Sequence, residues 1–293
     1  MLPEEDFDFP SFLGFNADVH YSADKVNADK LPIDSMNMTF RVKDGRLHLV
    51  PLVVGAGGGT VRMDLHLVDT PGEMPVHGHI KLDIHRVSVA RLLHPFDFAA
   101  GSAGLISGHG QFRSSGESVA AMLGSLNGEA SLAMPNGQLN ASLVELAGLD
   151  GGEALLLALE KEQTVDVNCA YIGATVRNGK LGIDTGLVDT TDTKFTMDGM
   201  IDFGKERLDL QILAHPKDAS LFAVRAPLIL EGTFRNPDFH PSWASLFARG
   251  AAALALGAIA PPAALLAFVE PGLGEGGAPC RKHLAHGLPV QHQ

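Results

Sequence analysis

Basic residues, cysteines and aromatic residues are all scarce in this sequence of 293 residues. It has 22 lysines and arginines against 34 acidic residues, a net charge of -12, and no cluster of Lys and Arg. This composition excludes a nucleic-acid groove and a polybasic attachment to anionic lipid. Aromatic residues make up 6% of the chain and there are 33 glycines, which is typical of a β-rich protein. We therefore expect neutral or apolar partners and no nucleic acid.

The two cysteines, Cys169 and Cys280, are too few for a disulfide scaffold. They would form one pair in an oxidising compartment or remain two buried thiols, and the residues alone leave both alternatives open. The first residues, MLPEEDFDFP, have neither the basic nor the apolar region of a signal peptide. We expect either a cytosolic chain or a fragment whose targeting segment lies upstream.

Sequence motifs of catalysis are also missing. The glycine-rich run GAGGGT at 55–60 lacks the lysine of a phosphate-binding loop and precedes a strand pattern, which predicts a turn or bulge. Neither a Gly-x-Ser-x-Gly motif nor a Cys/His grouping with an orienting acid occurs. We predict a protein that is not an enzyme and needs no cofactor; a β-rich hydrolase is the least favoured alternative.

Metal-ligand spacing is weak in this sequence. On a strand, His77 and His79 would share one face, but no third ligand follows at a standard spacing. Cys280, His283 and His286 resemble a run of ligands, but they lie in what we predict to be a loose tail. We predict no metal site, and interpret most of the 13 histidines as the polar outer face of strands.

Apolar residues alternate with polar ones along most of the chain, which is the period of half-buried strands. In RMDLHL at 62–67 and KLDIH at 81–85, for example, polar and apolar side chains alternate. The motifs VKDGRLHL, MPNGQLNA and VRNGKLGI, which begin at Val42, Met134 and Val176, each carry turn residues that predict a hairpin tip. Strands grouped around few helices favour a mainly antiparallel sheet over a doubly wound or TIM-barrel fold.

Three helical segments interrupt the strands. We predict a helix over 118–126, two short helices over 142–162 broken at Gly151 and Gly152, and a helix after Pro241 with Ser242 as a cap. The uncharged stretch 251–269 approaches the length of a membrane span, but Pro261 and Pro262 divide it. We predict two short apolar helices there, packed on the sheet or, alternatively, touching lipid.

The few helices cannot cover the apolar face of so long a sheet. The sequence therefore predicts an elongated, curled antiparallel sheet, a gutter with an apolar concave face, in a mainly β protein with short helices and a helical C-terminal cap. Acyl chains suit such a groove, since burial of each methylene is worth about 0.8 kcal/mol. The predicted lining residues are Phe40, Val42, Leu47, Leu49, Val61, Met63, Leu65, Leu67, Ile80, Leu82, Ile84, Phe195, Met197, Phe203, Leu208, Leu210, Ile212, Leu228 and Leu230.

Three stretches resemble the C-terminal half of bacterial AsmA-family proteins. They are GHGQFRSSGESVAAMLGSLNGEASLAMPNGQL, DTKFTMDGMIDFGKERLDLQILAHPKDASLFAVRAPLILEGTFRNPDFHP and ARGAAALALGAIAPPAALLAFVEPGLG. The segments LGFNADVHYSADKV and VKDGRLHLVPLVVGAGGGTVRMDLHL resemble the repeat that precedes that half. The likeness runs from about Leu13 to Cys280. It divides the chain into an N-terminal β-meander repeat (1–100), a C-terminal β repeat with short helices (101–240) and an apolar helical segment with a flexible tail (241–293).

The resemblance implies a periplasmic protein, anchored in the inner membrane, with a β-groove related to bridge-like lipid-transfer proteins. The family's N-terminal membrane helix is missing here, which predicts a periplasmic fragment or a shorter relative, and the family's acidic residues before the last cysteine are replaced by GEGGAPC. An oxidising periplasm implies a disulfide between Cys169 and Cys280. We predict a module that holds phospholipid or another acyl lipid; the alternative is an assembly factor for outer-membrane proteins, and contact with a membrane surface or envelope proteins is expected in either case.

Overall fold

A computed structural model describes residues 2–6, 16–26, 33–44, 46–70, 73–93, 101–140, 164–217, 227–260 and 280–287. The chain forms one antiparallel sheet of 14 strands, in which neighbours in sequence are nearly always neighbours in space. Open twisted sheets of more than about ten strands curl or split, and this one confirms the predicted large curled sheet. The strands pair across residue 100 without a break, since Ile80 of the first predicted repeat faces Phe112 of the second.

The strand bounds follow the chain in order. They are β1 Ala17–Ala23, β2 Ile33–Lys43, β3 Arg46–Ala56, β4 Gly59–Thr70, β5 Glu73–Ser88, β6 Ala103–Gly116, β7 Asn127–Met134, β8 Gly137–Asn140, β9 Thr164–Arg177, β10 Lys180–Thr190, β11 Thr193–Asp202, β12 Arg207–Pro216, β13 Leu228–Thr233 and β14 Asn236–Pro241.

Two of the turns show why glycine-rich runs join the strands. The run at 55–60 makes the β3–β4 turn, in which Gly57 and Gly58 have φ values of 57° and 76°. Asn178 and Gly179, at φ 50° and 72°, make the β9–β10 turn in the same way. Two consecutive positive φ values are the geometry of a primed hairpin turn, which matches the twist of the flanking strands. The prediction of a turn at 55–60 and of a hairpin at 178–179 is confirmed.

The predicted hairpin at Pro135, Asn136 and Gly137 is wrong. Strands β7 and β8 do not pair with each other; both lie between β6 and β9, end to end, so the chain continues in one direction through a bulge. Pro135 has no N–H to donate to the ladder, and a Cβ on Gly137 would lie 2.6 Å from the carbonyl oxygen of Ala103. Here glycine permits close approach between neighbouring strands and does not reverse the chain.

Four helices occur among the described residues. They are α1 Val89–Leu93, α2 Val119–Gly124, α3 Trp243–Ile259 and α4 Cys280–Gly287. The predicted first helix is confirmed as α2, with Ser118 as its N-cap: the N–H of Ala121 donates to Ser118 Oγ at 3.1 Å. The last predicted helix is confirmed as α3, but Ser242 makes no side-chain cap hydrogen bond. The helices predicted over 142–162 and the bend at Pro261 and Pro262 lie outside the described residues.

Helix α4 replaces part of the tail that the sequence predicts to be flexible. Cys280 is completely buried and is bonded to Cys169 of β9, with 6.1 Å between the two Cα atoms. Beside the disulfide, the His283 ring stacks on Tyr171, with centroids 5.1 Å apart, and Leu284 packs against the same cluster. The sequence of this helix, CRKHLAHG, is charged and polar and has no apolar stripe that would predict a packed helix. The helix is held instead by a covalent bond and a few contacts.

Candidate functional site: the apolar face of the sheet

The strand register brings the predicted lining residues of the first five strands onto one face. Directly opposed residues in a sheet share a face. Phe40 faces Leu49, which faces Leu65, which faces Ile80. Parallel rows contain the remaining predicted residues of these strands: Val42, Leu47 and Leu67 in one, Met63 and Leu82 in another, and Val61 and Ile84 in a third.

The last four strands build the same face in the same way. Met197 faces Ile212, which faces Leu228. In adjacent rows, Leu210 faces Leu230 and Leu208 faces Ile201, while Phe195 faces Ala214. Phe203 lies just beyond the end of β11, where its ring meets Phe234 edge-on, with centroids 6.2 Å apart. It therefore borders the apolar face at one margin.

Residues in the middle of the sheet were missed by the sequence analysis. Strands β6, β7 and β9 present small side chains to the apolar face, in a row where Gly110 faces Ala130 and Ala130 faces Ala174. Larger members were missed as well; they are Leu52, Val54, Phe112, Leu132, Ile172, Val176, Leu181 and Ile183. In the middle strands glycines and serines interrupt the alternation, and in β3 the register shifts between Leu49 and Leu52. Only the register, which links distant segments, identifies them.

Side chains on the apolar face screen one another from water. Val42, Leu47, Leu67, Phe195 and Leu228 are buried and the other predicted lining residues are half-buried, so none of them is exposed. By contrast, several of their neighbours on the opposite face, such as Arg62, Lys81 and Gln211, are exposed. Mutual screening without a covering layer is expected on the inner side of a curl, where side chains converge.

One margin of the apolar face is closed by helix α2. Val42, Leu47, Leu67 and Val76 form a buried cluster against which Met122 packs. Gly78 makes room for that methionine, since a Cβ there would lie 2.6 Å from Met122 Cε. Helix α4 and the disulfide lie on the opposite, outer face, because Cys169 and Tyr171 alternate with Ala170 and Ile172 of the apolar face. The C-terminal helix α4 is thus a brace on the outer face of the sheet.

Helix α3 is apolar and exposed. It follows the edge strand β14, contains one charged residue, Arg249, and leaves Phe247, Leu254 and Ile259 at 76%, 79% and 84% exposure. Soluble helices normally bury such side chains in a neighbour. A search of the described residues for helices able to cross a membrane finds none of sufficient length and hydropathy.

The polar face carries the ionisable groups. His48 and His66 approach each other with their Nδ1 atoms 2.7 Å apart, and burial, followed by the charges of His66, Arg46 and Arg41, lowers the pKa of His48. Two depressions of about 610 and 580 Å³ meet at His66. On β13 and β14, Glu231, Asp238 and His240 bring ligand atoms within 4.8 Å of one another.

Known proteins were compared with this chain. The AsmA family model matches residues 2–186. The chain is 31% identical over 277 residues to the AsmA family protein YhjG of Escherichia coli (strain K12), an alignment that covers 94% of this chain and 40% of YhjG. The chain thus spans less than half the length of this relative. No solved structure matches significantly.

Proposed function

The chain belongs to the AsmA family, and from this premise we propose that its curled sheet binds the acyl chains of phospholipid in the bacterial envelope. Family membership suggests an envelope-related function, and the finer assignment depends on one observation. An apolar face runs across the whole sheet, its side chains are buried or half-buried by one another, and α2 packs on its margin. Such a surface suits hydrocarbon, which needs burial but no specific polar partner.

The dimensions suit lipid. Thirteen strand positions lie side by side, and at a spacing of about 4.8 Å they extend for roughly 58 Å across the strands. One leaflet of a bilayer has a hydrocarbon thickness of about 15 Å, so the apolar face offers length for several acyl chains in sequence. Headgroups would remain in water at the open margin. This arrangement supports transfer along the groove between the inner and outer membranes.

Helix α3 supplies the membrane-facing element of the proposal. Its exposed apolar side chains lie immediately after the edge strand, where a bilayer surface would bury them. A periplasmic location, with attachment to the inner membrane, is part of the same proposal. A disulfide between Cys169 and Cys280 is in keeping with an oxidising compartment.

A photocrosslinking experiment tests lipid binding directly. The photoreactive amino acid p-benzoylphenylalanine would replace Leu82 on the apolar face or, as the matched control, Lys81 on the outer face of the same strand. After irradiation in bacteria, mass spectrometry should find phospholipid adducts at position 82 and not at 81. Lipid-free protein with no adduct at either position would overturn the proposal.

The same experiment discriminates the assembly-factor alternative. The edge strands β1 and β14 each have one partner strand among the described residues, and their side chains are mostly exposed. An unfolded outer-membrane protein would add to such an edge by strand pairing. Protein adducts at position 82, or at Val19 of β1, without lipid adducts would support this alternative instead.

A further inference from the structure

The strand register assembles three histidines on the outer face of the sheet that lie far apart in sequence. His48 of β3 faces His66 of β4, and His66 faces His79 of β5. Their spacings of 18 and 13 residues match no metal-binding motif, so the sequence alone does not indicate that His48 and His66 lie beside His79. Directly opposed residues have Cβ atoms about 5 Å apart, so the three imidazoles form one short row. This row lies opposite the groove and is independent of the proposed function.

Two of the imidazoles are already arranged as a pair. The Nδ1 atoms of His48 and His66 are 2.7 Å apart and their rings meet edge-on at a centroid distance of 4.8 Å. In the neutral pair, one Nδ1–H donates to the lone pair of the other. Two nitrogens bound tetrahedrally to one Zn²⁺ at about 2.05 Å lie roughly 3.3 Å apart. Replacement of the shared hydrogen by a metal ion therefore requires the two nitrogens to separate by about 0.6 Å.

A carboxylate with unused acceptor capacity lies beside the pair. Asp64 is two residues before His66 on the same face, and lines the same depression as His66 and His79. Its Oδ1 is buried and accepts no hydrogen bond from the described residues, although Nη2 of Arg62 lies 3.4 Å away. Arg62 pairs with this oxygen but donates no hydrogen bond to it, so the oxygen keeps acceptor capacity that a bound ion would use.

We propose that His48, His66 and His79, with Asp64, form a site for a divalent transition-metal ion. Imidazole nitrogens with one carboxylate suit Zn²⁺, Ni²⁺ or Cu²⁺ rather than Mg²⁺ or Ca²⁺. His79 is exposed and directly faces His66, so it would supply the third imidazole. Arg41 and Arg113 face the two ends of the row, and their positive charges would repel the ion. An acidic residue lies near each arginine: Asp18 forms an ion pair with Arg41 at 2.8 Å, and Glu129 lines the same depression as Arg113. The bound ion would tie three adjacent strands together.

The test is a titration of the metal-stripped, full chain with Zn²⁺ and Ni²⁺, and with Mg²⁺ as a negative control. Isothermal calorimetry should give one Zn²⁺ or Ni²⁺ per chain and no Mg²⁺ binding, and thermal unfolding should shift upward only with the bound metals. In ¹H–¹⁵N spectra, the ring nitrogens of His48 and His66 should change on Zn²⁺ addition.

Matched variants locate the site. His66→Gln and His48→Gln should weaken Zn²⁺ binding by about tenfold or more, whereas His77→Gln and His85→Gln, which alter exposed histidines of β5 outside the row, should leave binding unchanged. Each variant's unfolding temperature without metal reports whether it folds. The absence of Zn²⁺ binding by the folded chain would overturn the proposal. Zn²⁺ binding that survives His48→Gln and His66→Gln but is lost in His240→Gln would also overturn it, because the ion would then lie at the Glu231, Asp238 and His240 cluster.

Discussion

At the scale of single residues, a buried ion pair and a hydrogen bond join the ends of neighbouring strands on the polar side of the sheet. Asp189 is buried, with a side-chain exposure of 7%, and Nζ of Lys217 lies 2.8 Å from its Oδ1. Asn168 adds a hydrogen bond from its Nδ2 to the other carboxylate oxygen at 3.3 Å. These contacts join β9, β10 and the end of β12.

Lys217→Met should therefore destabilise the protein. The substitution keeps most of the side-chain volume but leaves the Asp189 carboxylate buried without its cation, a loss of roughly 2–3 kcal/mol in the free energy of unfolding. Urea unfolding measures the change. The double variant Lys217→Met, Asp189→Asn should recover part of it, and an unchanged unfolding midpoint in the single variant would contradict this account.

His240 offers a prediction on pH. A hydrogen bond with the Pro241 carbonyl is the largest cause, and one with Glu231 the second, of the raised pKa of His240. A raised pKa in the folded state means that this group contributes stability at low pH and that the contribution is lost as pH rises through the raised value. In an NMR titration, Glu231→Gln should lower the pKa of His240. The pKa should stay above the ordinary value for histidine, because the hydrogen bond with the Pro241 carbonyl remains. Identical titration curves for the two proteins would contradict the assignment.

At the scale of single elements, helices α3 and α4 differ in what holds them. Helix α4 is bonded to β9 through a disulfide that joins residues 111 apart in sequence. By the loss of chain entropy in the unfolded state, closure of a loop of this length stabilises the folded state by about 5 kcal/mol. Helix α3 has three large apolar side chains, those of Phe247, Leu254 and Ile259, exposed to water.

Cys280→Ser should lower the free energy of unfolding by about 5 kcal/mol. Cys169→Ser should cause a similar loss, and the double variant should lose no more than either single variant, because all three remove the same bond. Urea unfolding without reductant measures this. Additive losses in the double variant would show that the two thiols stabilise the protein separately.

For helix α3, the proposed contact is with a membrane surface. The variant Phe247→Ala, Leu254→Ala should weaken binding to phospholipid vesicles by about tenfold or more, since each large apolar side chain contributes about 1.5–3 kcal/mol when buried. The control Ala248→Ser alters another exposed position of the same helix. Vesicle flotation measures binding. Equal flotation of all variants would contradict membrane contact through α3.

At the scale of the whole molecule, the two faces of the sheet predict opposite responses to the same chemical change. Leu210 faces Leu230 on the apolar face, and Gln211 is the next residue, on the outer face. Leu210→Glu should abolish the recovery of copurified phospholipid because it puts a charge beside the acyl chains, whereas Gln211→Glu should not. Lipid extraction with mass spectrometry measures both, and circular dichroism should show folded protein in each case. Equal lipid content would contradict a groove on this face.

Much of this architecture follows from the sequence, because alternation in most of β2 to β5 and in β11 to β13 is regular enough to assign both strands and faces. The middle was less predictable, since the apolar face there is made of Gly110, Ala130 and Ala174, which carry no hydrophobic signal. The bulge at Pro135 has the residues of a hairpin turn and was misread for that reason. The histidine row was invisible in the sequence, because only pairing between distant strands places His48, His66 and His79 together.

The covalent bond between α4 and β9 also determines how the sheet would respond to mechanical load. An antiparallel sheet pulled from its last strand comes apart one strand at a time, each step breaking few hydrogen bonds. Here a tension applied beyond residue 287 enters the molecule through Cys280 and passes to Cys169 in the ninth strand. Strands β10 to β14 and helix α3 lie within the covalent loop and carry none of that force, so the terminal third of the sheet is protected from peeling when the C-terminal end is pulled.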